Sequence, residues 1–316
     1  MDTMLAFNDV SFSYKNNRGR VKKVLQNINL TINKGETFAL IGESGSGKST
    51  LAELSSRLLL CDSGTITFEN QNIQKLKGAS LKAFYKNVQI VFQDPYSSLD
   101  EKKTICSLIE EPLIIHHVGN KKERLEMVKA MMDEVGLSQM YLHVLPTKLS
   151  GGLRQRVAIA IALIIKPSLV ILDESVSALD VSIQAQVLNL LVSLQKKLNL
   201  TYLFITHDLQ VVGYIADRIA VMYRGRIVEI APTRELFDNP LHYYTRNLIA
   251  AGTNNDQKEA QNTFFIEDKE GEGCAFSTLC QRATERCKSE VPELVEIQQD
   301  HFVSCFTMLE SKKLHQ

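Results

Sequence analysis

The octapeptide Gly42-Glu43-Ser44-Gly45-Ser46-Gly47-Lys48-Ser49 satisfies G-x-x-x-x-G-K-[ST] at every position, between an apolar run (Phe38 to Ile41) and a helical stretch (Thr50 to Leu60). Glycines at these places let consecutive backbone N–H groups turn inward on phosphate oxygens, and the helix start adds about half a positive charge. Lys48 would bridge β- and γ-phosphates, and Ser49 would offer its hydroxyl to Mg²⁺. Leu169-Val170-Ile171-Leu172-Asp173-Glu174 adds two acids at the end of an apolar strand: Asp173 suits a metal, Glu174 suits a base that orients and deprotonates water. Taken alone, two acids there would read equally well as a solvated strand end. Leu149-Ser150-Gly151-Gly152-Leu153-Arg154-Gln155 makes a second anion site, with Ser150 as N-cap and the Gly151 and Gly152 amides open ahead of a long helix. Two phosphate-binding helix starts need two phosphates or two chains.

These residues need an α/β scaffold. Short β-branched or aromatic runs alternate with amphipathic helical stretches up to about residue 250, and the strands expected are Leu5 to Tyr14, Thr37 to Ile41, Gly64 to Phe68, Val88 to Phe92, Leu169 to Leu172, Tyr202 to Thr206, Arg218 to Tyr223 and Arg226 to Ile230. That pattern predicts a parallel sheet. Turn signals at Arg224-Gly225-Arg226 and Cys61-Asp62-Ser63-Gly64 predict antiparallel hairpins appended to it. Strand signals vanish from about 104 to 165, which predicts a helical subdomain inside a nucleotide-binding domain spanning 1–250. Residues 251–262 lack large apolar side chains and read as a linker to a C-terminal region, 263–316.

The chain has 316 residues, 44% of them apolar and 23% charged, which excludes disorder and collagen-like structure. Thirty-six basic residues balance thirty-six acidic ones, so the sum gives no reason to expect a nucleic-acid partner or an anionic membrane surface. The balance is uneven along the chain: residues 251–316 carry seven basic and twelve acidic groups, leaving 29 and 24 in the rest. The longest apolar run, Val157 to Ile165, is too short to span a bilayer, and the first residues lack the basic and apolar regions of a signal peptide; a cytosolic chain is expected. Of six cysteines, Cys274, Cys280, Cys287 and Cys305 crowd into the last 43 residues. Four thiolates meet the requirement of a [4Fe–4S] cluster, and their spacing is wider than a zinc knuckle's; zinc and metal-free thiols remain alternatives. His301 either supports those thiols or lies on the surface.

The string 149–155 resembles the signature loop of ATP-binding cassette (ABC) ATPases, and further strings over residues 1–250 agree with it. Tyr14, after Val10-Ser11-Phe12-Ser13, resembles the aromatic that stacks on adenine. Gln93 in Val91-Phe92-Gln93-Asp94-Pro95 resembles the glutamine that senses Mg²⁺ and water, Asp180 in Ser177-Ala178-Leu179-Asp180 the loop crossing the dimer interface, and His207 in Ile205-Thr206-His207-Asp208 the switch histidine. The resemblance implies a P-loop NTPase core of the RecA type with an antiparallel β subdomain and a helical subdomain. It implies an ATP site formed by Tyr14, Gly42, Ser44, Gly45, Gly47, Lys48, Ser49, Thr50 and Gln93, with Mg²⁺ on Ser49, Gln93 and Asp173. Catalysis would fall to Glu174, His207, Gln93 and Lys48, while Ser150, Gly151, Gly152 and Asp180 would face ATP held by a partner ATPase. Many members have Gln or Glu where this chain has Leu153; the phosphate-reaching groups are kept.

Gln93-Asp94-Pro95-Tyr96-Ser97-Ser98-Leu99-Asp100, Asn239-Pro240-Leu241-His242-Tyr243-Tyr244-Thr245 and the C-terminal cysteines resemble the oligopeptide/dipeptide/nickel importer subfamily. Within it, some members are thought to hold a [4Fe–4S] cluster. The resemblance implies a hydrolysing subunit at the cytoplasmic face of the membrane, a non-identical partner ATPase, two permease subunits and an extracellular binding protein. Tyr96 and Leu99 become candidate permease contacts. Nickel or a metal chelate is the alternative cargo, and a soluble cassette ATPase acting on ribosomes or DNA the alternative class.

Overall fold

The computed structural model describes residues 2–15, 21–93, 99–177, 179–253 and 273–314. Tyr96, Ala178, positions 254–262 of the expected linker and the first ten residues of the C-terminal region lie outside them.

The chain opens with β1 (Thr3–Lys15), β2 (Val21–Asn33) and β3 (Thr37–Ile41), then α1 (Lys48–Ser55), β4 (Ser63–Phe68) and β5 (Gln71–Asn72). Next come α2 (Gly78–Asn87), β6 (Val88–Val91), α3 (Ile105–Ile115), α4 (Lys121–Glu134), α5 (Gly151–Leu163), β7 (Leu169–Asp173), α6 (Val181–Leu198) and β8 (Thr201–Ile205). The last part holds α7 (Leu209–Ile215), β9 (Arg218–Tyr223), β10 (Arg226–Pro232), α8 (Thr233–Asp238), α9 (Tyr243–Thr253), α10 (Glu285–Ser289), β11 (Val295–Gln298), β12 (His301–Val303) and α11 (Phe306–Leu314).

Two sheets form among the described residues: β2-β1-β4-β5, and β11-β12-β10-β9-β3-β8-β7-β6. In the larger sheet β9, β3, β8, β7 and β6 run parallel, and β3, β7 and β8 are buried at every position. Strands covered on both faces read as unbroken apolar runs, which is why these three are visible in the sequence. β9 and β10 make the expected antiparallel hairpin at Arg224-Gly225.

The Cys61–Gly64 turn does not make a hairpin. It leads from α1 into β4, which pairs antiparallel with the distant β1 (Leu5↔Phe68, Ala6↔Thr67) and with β5 after it, so the turn's own sequence carried no sign of the pairing. β2 was not expected at all. Leu25, Ile28, Leu30 and Ile32 are its buried residues, and Asn27 at φ 49° accompanies a shift in register, so the first two lie three apart and strict alternation is lost. β11 and β12 are short and stand at the edge of β10 (Glu229↔Val303), extending the main sheet with C-terminal residues.

The helical stretch contains α3, α4 and α5, joined by a core that includes Ile109, Leu113, Val128, Met132 and Val157. Asn120 accepts from the Lys122 and Glu123 amides while the Glu123 carboxylate accepts the Asn120 N–H, a reciprocal cap worth about 1 kcal/mol. α6 buries Val187, Leu188, Leu191 and Leu194 along one stripe and ends on Asn199 in the left-handed conformation. α9 continues through Ala251 and Gly252 to Thr253, into the stretch expected to be a linker, because the hydrogen-sized side chain of Gly252 lets the helix lie against Leu209 of α7.

Candidate functional site

The loop between β3 and α1 is built on close backbone approach. A Cβ on Gly42 would collide with the Met222 carbonyl oxygen of the neighbouring β9, so no other residue fits there without moving the sheet. Gly225, in the turn after β9, donates its N–H to Ser46 O at 2.8 Å and braces the loop from the same side. Lys48 is buried and donates from Nζ to Gly42 O and Glu43 O, both at 2.8 Å. Burial pushes its pKa down, and Glu174, Asp173 and Glu43 pull the other way.

Parallel pairing of β7 with β8, and of β8 with β3, brings Asp173 to Ser49: Ser49 Oγ donates to Asp173 Oδ1 at 3.3 Å. A hydroxyl and a carboxylate side by side suit Mg²⁺, a hard cation that takes oxygen ligands. Asp173 is buried, and burial raises its pKa, with the Ser49 hydrogen bond opposing. Glu174 follows with φ at 45°, a left-handed backbone that costs a non-glycine residue about 1–2 kcal/mol. Its own N–H on Ile205 O (2.9 Å) and its C=O under Ser177 Oγ (2.8 Å) hold that conformation. The turned backbone aims the carboxylate at two other candidates: Gln93 Nε2 donates to Oε2 at 2.8 Å, and His207 Nδ1 lies 3.3 Å from Oε1. A carboxylate so held can take a proton from water placed next to it.

A cleft of about 990 Å³ opens above the loop. Ser44, Gly45, Gly47, Lys48, Ser49 and Thr50 line it, with Gln93 and Glu174 at one side and Tyr14 at another. Tyr14 is 43% exposed and donates its hydroxyl to Glu53 Oε2 at 3.1 Å, leaving its ring available to a ligand. Ser150, Gly151, Gly152 and Asp180 are not among the residues lining the cleft. Ser150 sits at the N-cap position of α5, but its side chain makes no capping bond, contrary to the expectation from its type; the hydroxyl is left to other partners. A Cβ on Gly152 would strike Ile183 of α6, which ties the start of α5 to that helix. Leu153 packs against the apolar core around α3 and α4, a structural reason for an apolar side chain at that position.

Several residues of this region were not expected in these places from the sequence. Gly273, Cys274, Ala275, Ser277 and Thr278 of the C-terminal region also line the cleft. Tyr244 accepts the Glu43 N–H on its hydroxyl at 3.2 Å. Glu229, fully buried in β10, accepts from Leu241 N (2.7 Å) and His242 N (2.9 Å) and meets His301 Nε2 at 2.7 Å. His301 is therefore not a surface residue: it ties β12 to β10. One signal was available, since an acid inside Ile227-Val228-Glu229-Ile230-Ala231 must have buried donors to meet.

Cys274, Cys280, Cys287 and Cys305 all line one small cavity, together with His242, Phe276 and Phe306. All four are free, and burial raises the Cys274 thiol to about 11, with the other three cysteines adding to the shift. The donor set fits an iron–sulfur cluster in number and type. Among the described residues, no group of three or more His, Cys, Asp or Glu is arranged to hold a metal ion, zinc and iron alike.

The fold and the loop together define a P-loop nucleotide-binding protein with a helical insertion. The ABC transporter family model matches residues 25–177, and the model for the oligopeptide/dipeptide transporter C-terminal region matches 228–287. The oligopeptide transport ATP-binding protein AppF of Bacillus subtilis is 44% identical over 90% of this chain and 89% of its own length. The dipeptide transport ATP-binding protein DppF of Haemophilus influenzae is 41% identical over 90% and 89%. Among solved structures, cbiO1 of Clostridium perfringens superposes with a TM-score of 0.67 at 29% identity, over 76% of this chain and 92% of that one. The ATP-binding cassette MJ0796, solved as a dimer with ADP and Pi, superposes with a TM-score of 0.66 at 28% identity, over 73% and 99%. The chain belongs to the ATP-hydrolysing subunits of ABC transporters, in the branch that carries the oligopeptide/dipeptide C-terminal region. Among the described residues no helix is long and apolar enough to cross a membrane.

Proposed function

We propose that this subunit powers the import of oligopeptides or dipeptides, working at the cytoplasmic face of the membrane beneath two permease subunits fed by an extracellular binding protein. The observation that carries the reading is the pairing of the cassette with the oligopeptide/dipeptide C-terminal region in a chain whose similar relatives are peptide-transport ATPases. The functional units are a cassette over residues 1–250 and the C-terminal region from 263.

In this reading Tyr14 stacks on adenine, the 42–50 loop holds the phosphates, and Lys48 turns from its carbonyls to the β- and γ-phosphates. Bound Mg²⁺, held by Ser49, Asp173 and Gln93, would offset phosphate charge. Glu174 takes the proton of the attacking water, with Gln93 and His207 fixing its carboxylate. Ser150, Gly151, Gly152 and Asp180 serve ATP on a second, non-identical ATPase.

The test is uptake. Loss of this gene is expected to abolish accumulation of a labelled tripeptide or dipeptide and to spare nickel; loss of nickel uptake with peptide uptake intact overturns the cargo. We also assign a [4Fe–4S] cluster to Cys274, Cys280, Cys287 and Cys305, where it would supply a covalent tie across the C-terminal region and a one-electron couple. Anaerobically purified protein is then expected to contain about four iron and four acid-labile sulfide per chain; absence of both removes the assignment.

A further inference from the structure

We propose that Tyr244 is a positioning residue of the nucleotide site, through which the C-terminal region sets the shape of the phosphate loop. The Gly42–Glu43 peptide is held on both of its polar edges: its C=O accepts Lys48 Nζ at 2.8 Å, and its N–H donates to the Tyr244 hydroxyl at 3.2 Å. Once Lys48 turns to phosphate, the first of these bonds is lost. Tyr244 is then the side chain that still keeps this peptide plane from rotating, and with it the direction of the amides that follow.

Tyr244 can do this because it is itself fixed. It is 1% exposed, its N–H donates to His242 Nδ1 at 3.1 Å, and its ring lies 4.5 Å from Tyr223 and 5.5 Å from Phe276, centroid to centroid. Phe276 also meets Tyr223 edge-on at 5.3 Å. Phe276 stands two residues after Cys274, which lines both the nucleotide cleft and the cysteine cavity. Order in the C-terminal region therefore reaches the loop through Phe276, Tyr244 and one hydrogen bond. The inference rests on the cleft binding ATP and is independent of the cargo.

Tyr244→Phe in the full chain keeps the ring and removes the hydroxyl. A fluorescent ATP analogue with Mg²⁺ is expected to bind about three- to tenfold more weakly, the range for one net hydrogen bond. The KM for ATP should rise with it while kcat changes less than twofold, and hydrogen exchange at the Glu43 amide should accelerate with the rest of the sheet unchanged. Unchanged affinity and exchange overturn the proposal, as does a lower melting temperature with unchanged affinity. Should that variant not fold, Phe276→Leu, which leaves the hydroxyl and loosens the ring beneath it, is expected to weaken binding at least about twofold; unchanged affinity there overturns it equally. Failure of peptide uptake with the affinity shift present would sink the cargo and leave this inference standing, whereas a wild-type chain that does not bind ATP would sink the nucleotide site itself.

Discussion

Glu174→Gln is expected to lower ATP turnover by about two to four orders of magnitude, the contribution typical of a positioned general base. The amide keeps the shape of the carboxylate and an oxygen that can still accept from Gln93 Nε2, now at 2.8 Å from Oε2. What it loses is the capacity to take a proton from water. Nucleotide affinity should hold or rise, because Lys48, Ser49 and the loop amides are untouched and one negative charge leaves the neighbourhood of the γ-phosphate. Phosphate release measured against binding of the same nucleotide separates the two effects. Turnover within tenfold of the wild type would move the base to another residue, His207 being the nearest candidate at 3.3 Å from Glu174 Oε1.

Glu229→Ala is expected to cost about 3 kcal/mol of stability or more, since each buried donor left without an acceptor costs about 1–3 kcal/mol. The Leu241 and His242 amides and His301 Nε2 would all lose their acceptor at once, in a place water does not reach. Because His301 belongs to β12, the C-terminal hairpin should become sensitive to protease before the cassette does. A loss of less than about 1 kcal/mol in the unfolding free energy measured in urea would mean that β10–β12 pairing, and not this carboxyl, holds the hairpin. The same patch makes stability depend on pH. Burial pushes the His242 pKa down to about 4, with Glu229 pulling it up, and the neutral ring accepts the Tyr244 N–H at Nδ1. An unfolded chain takes up that proton near pH 6.5, while the folded chain resists until about 4, so stability falls as pH drops through this window. The contribution of this one group to the slope approaches about 1.4 kcal/mol per pH unit, and a His242→Gln chain should show a correspondingly shallower fall between pH 6.5 and about 4.

Much of the nucleotide site is contiguous, and contiguous chemistry is legible. The loop 42–49 and the strand 169–174 declare themselves because a phosphate cradle needs glycines and a lysine at fixed offsets, and a fully covered strand has nothing but apolar residues to show before its acids. β2 was illegible because the bulge at Asn27 puts its apolar positions out of phase, and β11 and β12 because strands of four and three residues carry too little pattern. Tyr244 stood within a string that marked a subfamily but pointed to no partner, since Glu43 lies 201 residues away.

The residue types, their offsets and the alternation of strand and helix by themselves determined that the chain holds a phosphate loop, a metal-suited acid, a candidate base and a cysteine-bearing C-terminal region. Those properties follow from local backbone geometry and side-chain chemistry, which are written in order along the chain. Only the tertiary structure decided that Glu174 turns through a left-handed backbone onto Gln93 and His207, that four cysteines share one cavity, and that Cys274 is also a wall of the nucleotide cleft. Each of these depends on which strands lie side by side and on how closely backbones approach, and a side chain carries no record of a partner brought to it from hundreds of residues away.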